Sequence, residues 1–206
     1  MKPEHKFFER YLNNDLTDLY LFLLEKNQDM LDGKFPGISK EKAEEANKTG
    51  CMATALNQYY NIFQIHHPAI YSLYSAIKSM TQEASEYYGV DFESQQYMVQ
   101  GWFNCDEKSE KNLNDLHDHS PNTGTPYYHG YYCVNAEPSI TNYQINRELM
   151  FDNINKNNRA ILSETGHPHR KGSWHLDEKR ITIAYDMMPL KDLNKNELQQ
   201  HWVPLI

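Results

Sequence analysis

The segment RITIAYDM, residues 180–187, has the features of a β-strand, because it is short and contains many β-branched and aromatic side chains. It is the last of a series of such segments that follow Gly89, and turn residues separate them. Since no helical spacer lies between most of them, they predict an antiparallel sandwich or barrel. The other segments are QQYMVQGWFN (95–104), YYHGYYCVNA (127–136), SITNYQIN (139–146) and RAILSET (159–165).

The first half of the chain has a helical pattern instead. Apolar side chains recur at helical spacing in residues 5–31 and 67–88, and Pro68 and Gly89 suit the start and the end of the second segment. Ser39 precedes the polar segment KEKAEEANK as a helix cap. Two further segments lie between the strands, namely a polar loop at 105–116 and a longer insertion at 147–158.

These patterns predict an α+β protein. At 206 residues the chain is long enough to bury a core without disulfides or a structural metal. We expect a single domain, residues 1–206. Its expected parts are a mainly helical support region (1–92), a β core (93–190) and a C-terminal segment (191–206).

The composition excludes several classes of protein. A net charge of −8 argues against a general nucleic-acid binder, which needs a basic face. The N-terminal sequence MKPEHKFFER lacks the pattern of a secretory signal, and no window approaches the roughly 18 apolar residues that a membrane span needs. Cys51, Cys105 and Cys133 are too few and too scattered for a disulfide framework or a thiolate zinc site. We therefore expect a protein of the reducing cytoplasm without membrane association.

Ten histidines are present, and most of them are clustered. On an extended segment His117 and His119 share a face while Asp118 points away. Two imidazoles on one face suit a divalent transition metal. A residue from further along the chain could supply the third ligand. Taken alone, such a pair fits an exposed polar loop equally well. The two groups are His117, Asp118, His119 and His129, and then His167, His169 and His175.

The spacing to a later arginine favours a binding site. His169 follows His117 by 52 residues, and Arg180 follows His169 by 11. Arg180 and Thr182 face the same way on the last strand, so a guanidinium and a hydroxyl are ready to receive a carboxylate. Taken alone, Arg180 fits an ion pair at the strand edge equally well, with Asp177 or Glu178 as its partner.

In this order the motifs resemble the iron(II)- and 2-oxoglutarate-dependent oxygenases. The chain is most similar to a branch with W-x-N, H-x-H-P-like and S-G-x-x-Y-like segments, a branch that includes phage-encoded members. If this chain is phage-encoded, the expected location is the host cytoplasm. The corresponding segments are Trp102–Asn104, His117–Pro121 and His129–Tyr132. The resemblance covers roughly residues 95–188.

The resemblance implies a double-stranded β-helix core (jelly-roll, cupin-like) with N-terminal helices packed on one sheet. It also implies iron(II) and the co-substrate 2-oxoglutarate. It assigns His117 and His169 to the metal, and Arg180 and Thr182 to 2-oxoglutarate.

The chain departs from the family at one position. The family motif is His-x-Asp/Glu, whereas position 119 is a histidine. We expect His119 to replace the carboxylate, which gives the ligand set His117, His119 and His169. Asp118 and Glu137 are the alternative sources of a carboxylate, and His167 is the alternative to His169.

The expected function is a 2-oxoglutarate-dependent oxygenase, with hydroxylation as the reaction. One alternative is a cupin-type metal protein without 2-oxoglutarate, such as a three-histidine dioxygenase or an isomerase. Another is a non-catalytic β-sandwich with a structural or interaction role. The sequence leaves open whether the substrate is a small molecule or a protein, and which oligomeric state the chain adopts.

Overall fold

The computed structural model describes residues 4–119, 127–145, 149–193 and 201–206. Its α-helices are α1 (Leu16–Leu31), α2 (Lys40–Asn47), α3 (Met52–Ala55), α4 (Pro68–Tyr87) and α5 (Phe92–Gln95). Short 3-10 turns lie at Asn57–Tyr59, Ile62–Gln64 and Leu190–Asp192. The strands are β1 (Phe7–Tyr11), β2 (Tyr97–Asp106), β3 (Tyr128–Asn135), β4 (Ile140–Ile145), β5 (Leu149–Ile154), β6 (Arg159–Glu164), β7 (His169–Lys171), β8 (Arg180–Pro189) and β9 (Val203–Pro204).

The strands form two antiparallel sheets. The larger sheet has the order β1-β6-β3-β8-β2-β9, and the smaller has the order β5-β4-β7. All pairings between these named strands are antiparallel. Helices together with antiparallel sheets confirm the α+β prediction, whereas the double-stranded β-helix stays a prediction.

Local capping sets the helix boundaries. The Asp15 carboxylate accepts hydrogen bonds from two backbone N–H groups at the start of α1. The Ser39 hydroxyl caps α2 as predicted, and it accepts one hydrogen bond, from the Lys42 backbone N–H. His67 caps α4, whose first residue is Pro68. Gly89 lies just beyond α4 with φ +71°, a backbone conformation in which glycine has no steric penalty. The predicted helix at 67–88 is therefore confirmed.

The helices contact the larger sheet. Helix α1 packs against β3, α3 against β2, and α4 against β1 and β6. The apolar side of α4 buries Ile70, Leu73, Ile77 and Met80. This packing stabilises the sheet that carries most of the site described below.

The helix predicted at 5–31 is only partly correct. Residues Phe7–Tyr11 form β1, which pairs with β6 at the edge of the larger sheet, and α1 begins only at Leu16. Phe8 and Tyr11 match helical spacing, but so short an apolar run fits a strand equally well. Pairing with β6 decides between the two, and Phe8 becomes buried.

Residues 149–158 of the predicted insertion contain a strand. Residues Leu149–Ile154 form β5, which pairs with β4 along its whole length. Most of its side chains are exposed, and this edge strand therefore shows no alternation of apolar and polar residues. The loop predicted at 105–116 also begins later than expected, because β2 continues to Asp106.

Several predictions fall partly outside the described residues. Ser120 and Pro121 of the histidine motif lie there, as do residue 146 of the predicted strand 139–146, residues 147–148 of the predicted insertion, and residues 194–200 of the predicted C-terminal segment. Among the described residues, no helix is long and apolar enough to cross a membrane. The single domain and the cytoplasmic location stay predictions.

Candidate active site

Strand β8 turns every second side chain toward one cavity, because successive side chains of a strand point to opposite faces. Thr182 and Ala184 line this cavity together with Arg180, and Asp186 contacts two histidines of its wall. Each polar side chain of this series has a hydrogen-bonded partner directly opposite on β2 or β3. The pairs are Asp106 with Arg180, Asn104 with Thr182, and His129 with Asp186.

The smaller sheet forms the other wall. His169 and Lys171, two residues apart on β7, line the cavity together with Thr141 of β4. The H-x-H segment lies alongside β7. The His117 backbone N–H donates to the His169 carbonyl at 3.0 Å, and the His169 N–H donates back at 2.7 Å. This pairing brings the two histidine groups of the sequence together.

The cavity has a volume of about 320 Å³. We call His117, His119, His129 and His169 its histidine end, and Arg180 and Lys171 with their shared partner Asp106 its cation end. Between the two ends lie side chains of α3, β2, β3 and β4. They include Thr54, Trp102, Asn104, Tyr131 and Thr141.

Three imidazoles at the histidine end are close enough to share one metal ion. One nitrogen from each of His117, His119 and His169 lies within 4.8 Å of the others. The ring centroid of His169 lies 4.7 Å from that of His117 and 5.1 Å from that of His119. A second group, His119, His129 and Asp186, meets the same distance limit.

The hydrogen bonds of the first group suit metal binding. The Nδ1 atom of His117 lies 2.9 Å from the Asp115 carbonyl, and that of His169 lies 3.3 Å from the His167 carbonyl. A carbonyl only accepts, so each Nδ1 donates, and in the neutral ring Nε2 keeps its lone pair. The Asn114 amide nitrogen is also 3.2 Å from His117 Nδ1, but the shorter carbonyl contact decides the proton position. Metal-binding histidines commonly have this arrangement, so the donor set fits a divalent metal.

Asp186 connects the other two imidazoles. Its Oδ2 lies 3.0 Å from His119 Nδ1, and its Oδ1 lies 2.7 Å from His129 Nδ1. The side chains of Asp186, His119 and His129 are 24%, 16% and 6% exposed, so water screens these contacts only partly. Burial raises the pKa of Asp186, but the two imidazoles outweigh it and hold that pKa well below its ordinary value.

Burial dominates the pKa values of three of the histidines. It lowers the pKa of His117, although His117 is the exposed member of the group. Together with neighbouring imidazoles it lowers the pKa of the buried His129 to about 4 and that of the buried His169 far below the ordinary value. Burial also lowers the pKa of His119, but the charge and hydrogen bond of Asp186 outweigh it, so the net shift is upward. Neutral imidazoles are the form that binds metals.

The cation end is a buried ion cluster. Arg180 and Asp106 are each 1% exposed, and Arg180 Nη1 donates to Asp106 Oδ2 at 3.1 Å. Lys171 Nζ donates to the other oxygen, Oδ1, at 2.6 Å. Arg180 Nε also donates to Ser139 Oγ, and the Cys51 thiol stays neutral because burial raises its pKa. Two cations therefore face one carboxylate, which leaves one uncompensated positive charge beside the cavity.

The Thr182 hydroxyl has a fixed role in a short chain of hydrogen bonds. Thr54 donates to the Asn104 amide oxygen at 2.5 Å, and the Asn104 amide nitrogen donates to Thr182 Oγ1 at 3.0 Å. Because Thr182 Oγ1 accepts from Asn104, its own hydrogen is available for an acceptor in the cavity.

The structure brings all five residues of the predicted site into one cavity. His117, His119, His169, Arg180 and Thr182 all line it. The strand-edge ion pair considered for Arg180 does not form. Its partner is the buried Asp106, and Asp177 pairs with Lys108.

The alternative ligands have other partners. Asp118 is exposed and accepts a hydrogen bond from the Gly166 backbone at 3.1 Å. Glu137 forms an ion pair with Lys156 at 2.9 Å. His167 provides the carbonyl that His169 contacts, and its ring packs against His5 with centroids 3.9 Å apart. None of the three lines the cavity.

Sequence reasoning missed Asp186, Asp106 and Lys171. One signal was present for each. Asp186 lies on the same strand face as Arg180, Thr182 and Ala184, because each is two residues from the next. Lys171 lies two residues after His169 and so shares its face. Asp106 continues the face of Trp102 and Asn104 but was assigned to a loop.

Neither protein-family models nor curated protein sequences match the chain. Solved structures do. A prolyl-4-hydroxylase from Pseudomonas putida superimposes with a TM-score of 0.56 at 7% identity, over 90% of this chain and 86% of that one. A prolyl hydroxylase from Trichoplax adhaerens, in complex with a hypoxia-inducible-factor peptide, superimposes with a TM-score of 0.54 at 14% identity, over 93% of this chain and 86% of that one. The dioxygenase for auxin oxidation from Arabidopsis thaliana, in complex with 2-oxoglutarate, superimposes with a TM-score of 0.52 at 10% identity, over 91% of this chain and 85% of that one.

The chain has the fold of the iron(II)/2-oxoglutarate oxygenases. At these identities the likeness concerns the fold alone, so the chemistry has to be argued from the residues of the cavity.

Proposed function

We propose that this protein is a non-haem iron(II)- and 2-oxoglutarate-dependent oxygenase that hydroxylates a C–H bond of its substrate. One observation carries the proposal. A single cavity joins three imidazoles that could share a metal ion to a buried arginine and threonine two residues apart on β8. As part of the proposal, the two sheets belong to a double-stranded β-helix within a single domain.

The metal would be held by His117, His119 and His169. Imidazole nitrogen suits iron(II), and three protein ligands leave the remaining positions to co-substrate and oxygen. Bound iron(II) and 2-oxoglutarate supply the activation of dioxygen that yields succinate, carbon dioxide and an oxidised substrate. The three neutral imidazoles add no charge, so the metal site is more positive than one with a carboxylate ligand.

The cation end would bind the distal carboxylate of 2-oxoglutarate. Its uncompensated positive charge favours one anionic group, and the Thr182 hydrogen adds a donor beside Arg180. Lys171 shares Asp106 with Arg180 and so contributes to the same charge. We propose that it strengthens co-substrate binding.

Aromatic walls would keep water from the reacting centre. Trp102, 4% exposed, stacks on His119 with ring centroids 5.7 Å apart, and Tyr131, 5% exposed, lines the cavity beside it. The Tyr131 hydroxyl donates to Asn155 at 2.8 Å, so it serves packing and not the co-substrate.

We also propose a cytoplasmic location and a substrate other than nucleic acid or membrane. The three cysteines are free thiols, which supports a reducing compartment. The net charge of −8 supports a substrate that is not a polyanion. A small molecule and a protein side chain both remain candidate substrates.

A second candidate function is a three-histidine metal enzyme that does not use 2-oxoglutarate. The observation that favours it is the ion pair of Arg180 with Asp106, which already provides the guanidinium with a carboxylate. Co-substrate binding separates the two candidates.

The test measures binding of 2-oxoglutarate by calorimetry to protein loaded anaerobically with iron(II), followed by succinate release in air. Arg180→Gln and Lys171→Met should each weaken 2-oxoglutarate binding, the first by at least about 100-fold and the second by about 10-fold. Arg170→Met is the matched control, because Arg170 lies on β7 between His169 and Lys171, faces away from the cavity and contacts Asn142. Metal binding without 2-oxoglutarate binding would select the second candidate, and a protein that binds no metal would contradict both.

A further inference from the structure

The H-x-H motif lacks the carboxylate of the family motif, but a carboxylate lies directly behind its second histidine. We propose that Asp186 is a positioning residue for the metal centre: it holds His119 with Nε2 toward the metal and supplies, through the imidazole, the negative charge that the motif lacks. This inference rests on the proposed function. It differs from the family arrangement because the carboxylate comes from the last long strand of the sheet, β8.

The contact geometry uses both oxygens of the carboxylate. Oδ2 accepts from His119 and Oδ1 accepts from His129, at 3.0 and 2.7 Å. His129 lies directly opposite Asp186 in the β3–β8 register. A rigid strand pair therefore fixes Asp186, and only the contact with His119 reaches across to the H-x-H segment.

The carboxylate selects the tautomer of His119. Because an ionised carboxylate only accepts, Nδ1 must carry the hydrogen, and Nε2 of the neutral ring then carries the lone pair that a metal needs. The opposite tautomer would place the Nδ1 lone pair against a carboxylate oxygen. Hydrogen bonding of this kind also raises the basicity of a ligating imidazole.

Stacking fixes the remaining freedom of the ring. The His119 ring lies between Trp102, at 5.7 Å and 10° between the planes, and His129, at 4.0 Å and 26°. The two rings hold its plane, and Asp186 sets its rotation within that plane. The three contacts together leave one orientation for His119.

A rival arrangement uses the same atoms differently. His119, His129 and Asp186 meet the distance limit for a metal site and would form a set of two histidines and one carboxylate. In that set the metal would replace both hydrogens between Asp186 and the rings. Asp186 would then be a ligand, and His117 and His169 would be dispensable.

The test uses cobalt(II) as an oxygen-stable probe, titrated into the full chain and followed by its visible absorption. Asp186→Asn should weaken cobalt(II) binding about 10- to 100-fold. Asp118→Asn is the matched control, since it removes an equal charge close to His119 without touching an imidazole, and it should change affinity less than about twofold. An affinity of Asp186→Asn equal to that of the wild type would overturn the inference and leave the proposed function standing.

Two further measurements keep the test decisive if Asp186→Asn fails to fold. Nitrogen NMR of the histidine rings in the metal-free wild type should show His119 with its hydrogen on Nδ1, and a hydrogen on Nε2 alone would overturn the inference. In the second, the cobalt(II) affinities of His117→Ala and His169→Ala are compared with that of the wild type. Unchanged affinity in both variants would establish the rival set and overturn the positioning role. A wild type that binds no cobalt(II) or iron(II) would remove the proposed function together with this inference.

Discussion

The two ends of the cavity share β8, but their polar atoms are satisfied in different ways. At the cation end Asp106 accepts from both Arg180 and Lys171, so the three groups largely complete one another. At the histidine end every Nδ1 is engaged by an oxygen, which leaves the Nε2 lone pairs for another atom. At the histidine end, the hydrogen bonds thus orient the imidazoles for a metal ion. At the cation end, the excess positive charge favours an anion.

The largest effect should come from breaking the charge balance at the cation end. Asp106→Asn leaves Arg180 and Lys171 without a counter-charge, and removal of one member of a buried ion pair costs about 3–5 kcal/mol of unfolding free energy. Because the uncompensated charge then doubles, 2-oxoglutarate should bind more tightly and restore much of this stability. Chemical denaturation with and without 2-oxoglutarate measures both effects.

Asp177→Asn is the control for this change. Asp177 pairs with Lys108 at the surface, where water and salt screen the two charges, so the loss of this pair should change the free energy of unfolding little. If Asp106→Asn loses no more stability than this control, the cation end is not the tightly coupled cluster described above.

The next largest effect should be the loss of metal from the histidine end. His169→Ala removes one of three ligands and should weaken iron(II) or cobalt(II) binding roughly a thousandfold, about 4 kcal/mol. His175→Ala is the comparison variant, because His175 is exposed and contacts Ser173 and Glu110 outside the cavity. Equal metal affinities of the two variants would show that the convergent imidazoles do not form the metal site.

Of the two ends, the histidine end should contribute to the pH dependence of stability below pH 6.5, because burial lowers the pKa values of His129 and His169. An unfolded histidine takes up its proton near pH 6.5, whereas folded His129 does so near pH 4 and His169 still lower. The unfolded state therefore binds more protons between these values, and stability falls as pH falls through that window. The pKa of His119 is shifted upward instead. Its contribution to the free energy of unfolding is therefore complete below pH 6.5 and is lost as the pH rises above that value.

Metal-free protein should consequently lose on the order of 2 kcal/mol of unfolding free energy for a drop of one pH unit below pH 6.5. Denaturant titrations at a series of pH values measure this slope. His129→Gln should reduce it by about half. A slope unchanged in His129→Gln would mean that another group controls acid stability.

The smallest effect should come from the single hydroxyl at the cation end. Thr182→Val keeps the side-chain volume but removes the hydroxyl that accepts from Asn104 and donates to the co-substrate. The first loss should lower the free energy of unfolding by about 1 kcal/mol, and the second should weaken co-substrate binding by about 1 kcal/mol. The KM for 2-oxoglutarate should rise about fivefold. Thr81→Val, which removes a buried hydroxyl bonded to Ile77 on α4, should lose similar stability without any change in KM.

A good part of the fold was predictable from local pattern. The five strand segments and the two capped helices appear where turn residues, β-branched side chains and helix caps place them. The remaining strands, β1, β5, β7 and β9, do not follow from local pattern, and all four lie at a sheet edge. An edge strand can expose side chains on both faces, as β5 does, and its pairing partner can be remote in sequence, as β6 is for β1.

The site was predictable where alternation and spacing carry the information. The two-residue period of a strand placed His117 with His119 and Arg180 with Thr182, and all four line the cavity. The sequence offers Asp118 and Glu137 as the carboxylate near His119. The carboxylate that contacts His119 is Asp186, 67 residues away.

The sequence by itself determined which side chains share a face, because a strand alternates its side chains whatever it pairs with. Only the tertiary structure decided which faces meet. The register of β8 places Asp186 opposite His129 and Arg180 opposite Asp106, and pairing with β7 places His117 beside His169. Register is set by strand pairing over long stretches of chain, and a shift by one residue would turn each of these side chains to the other face.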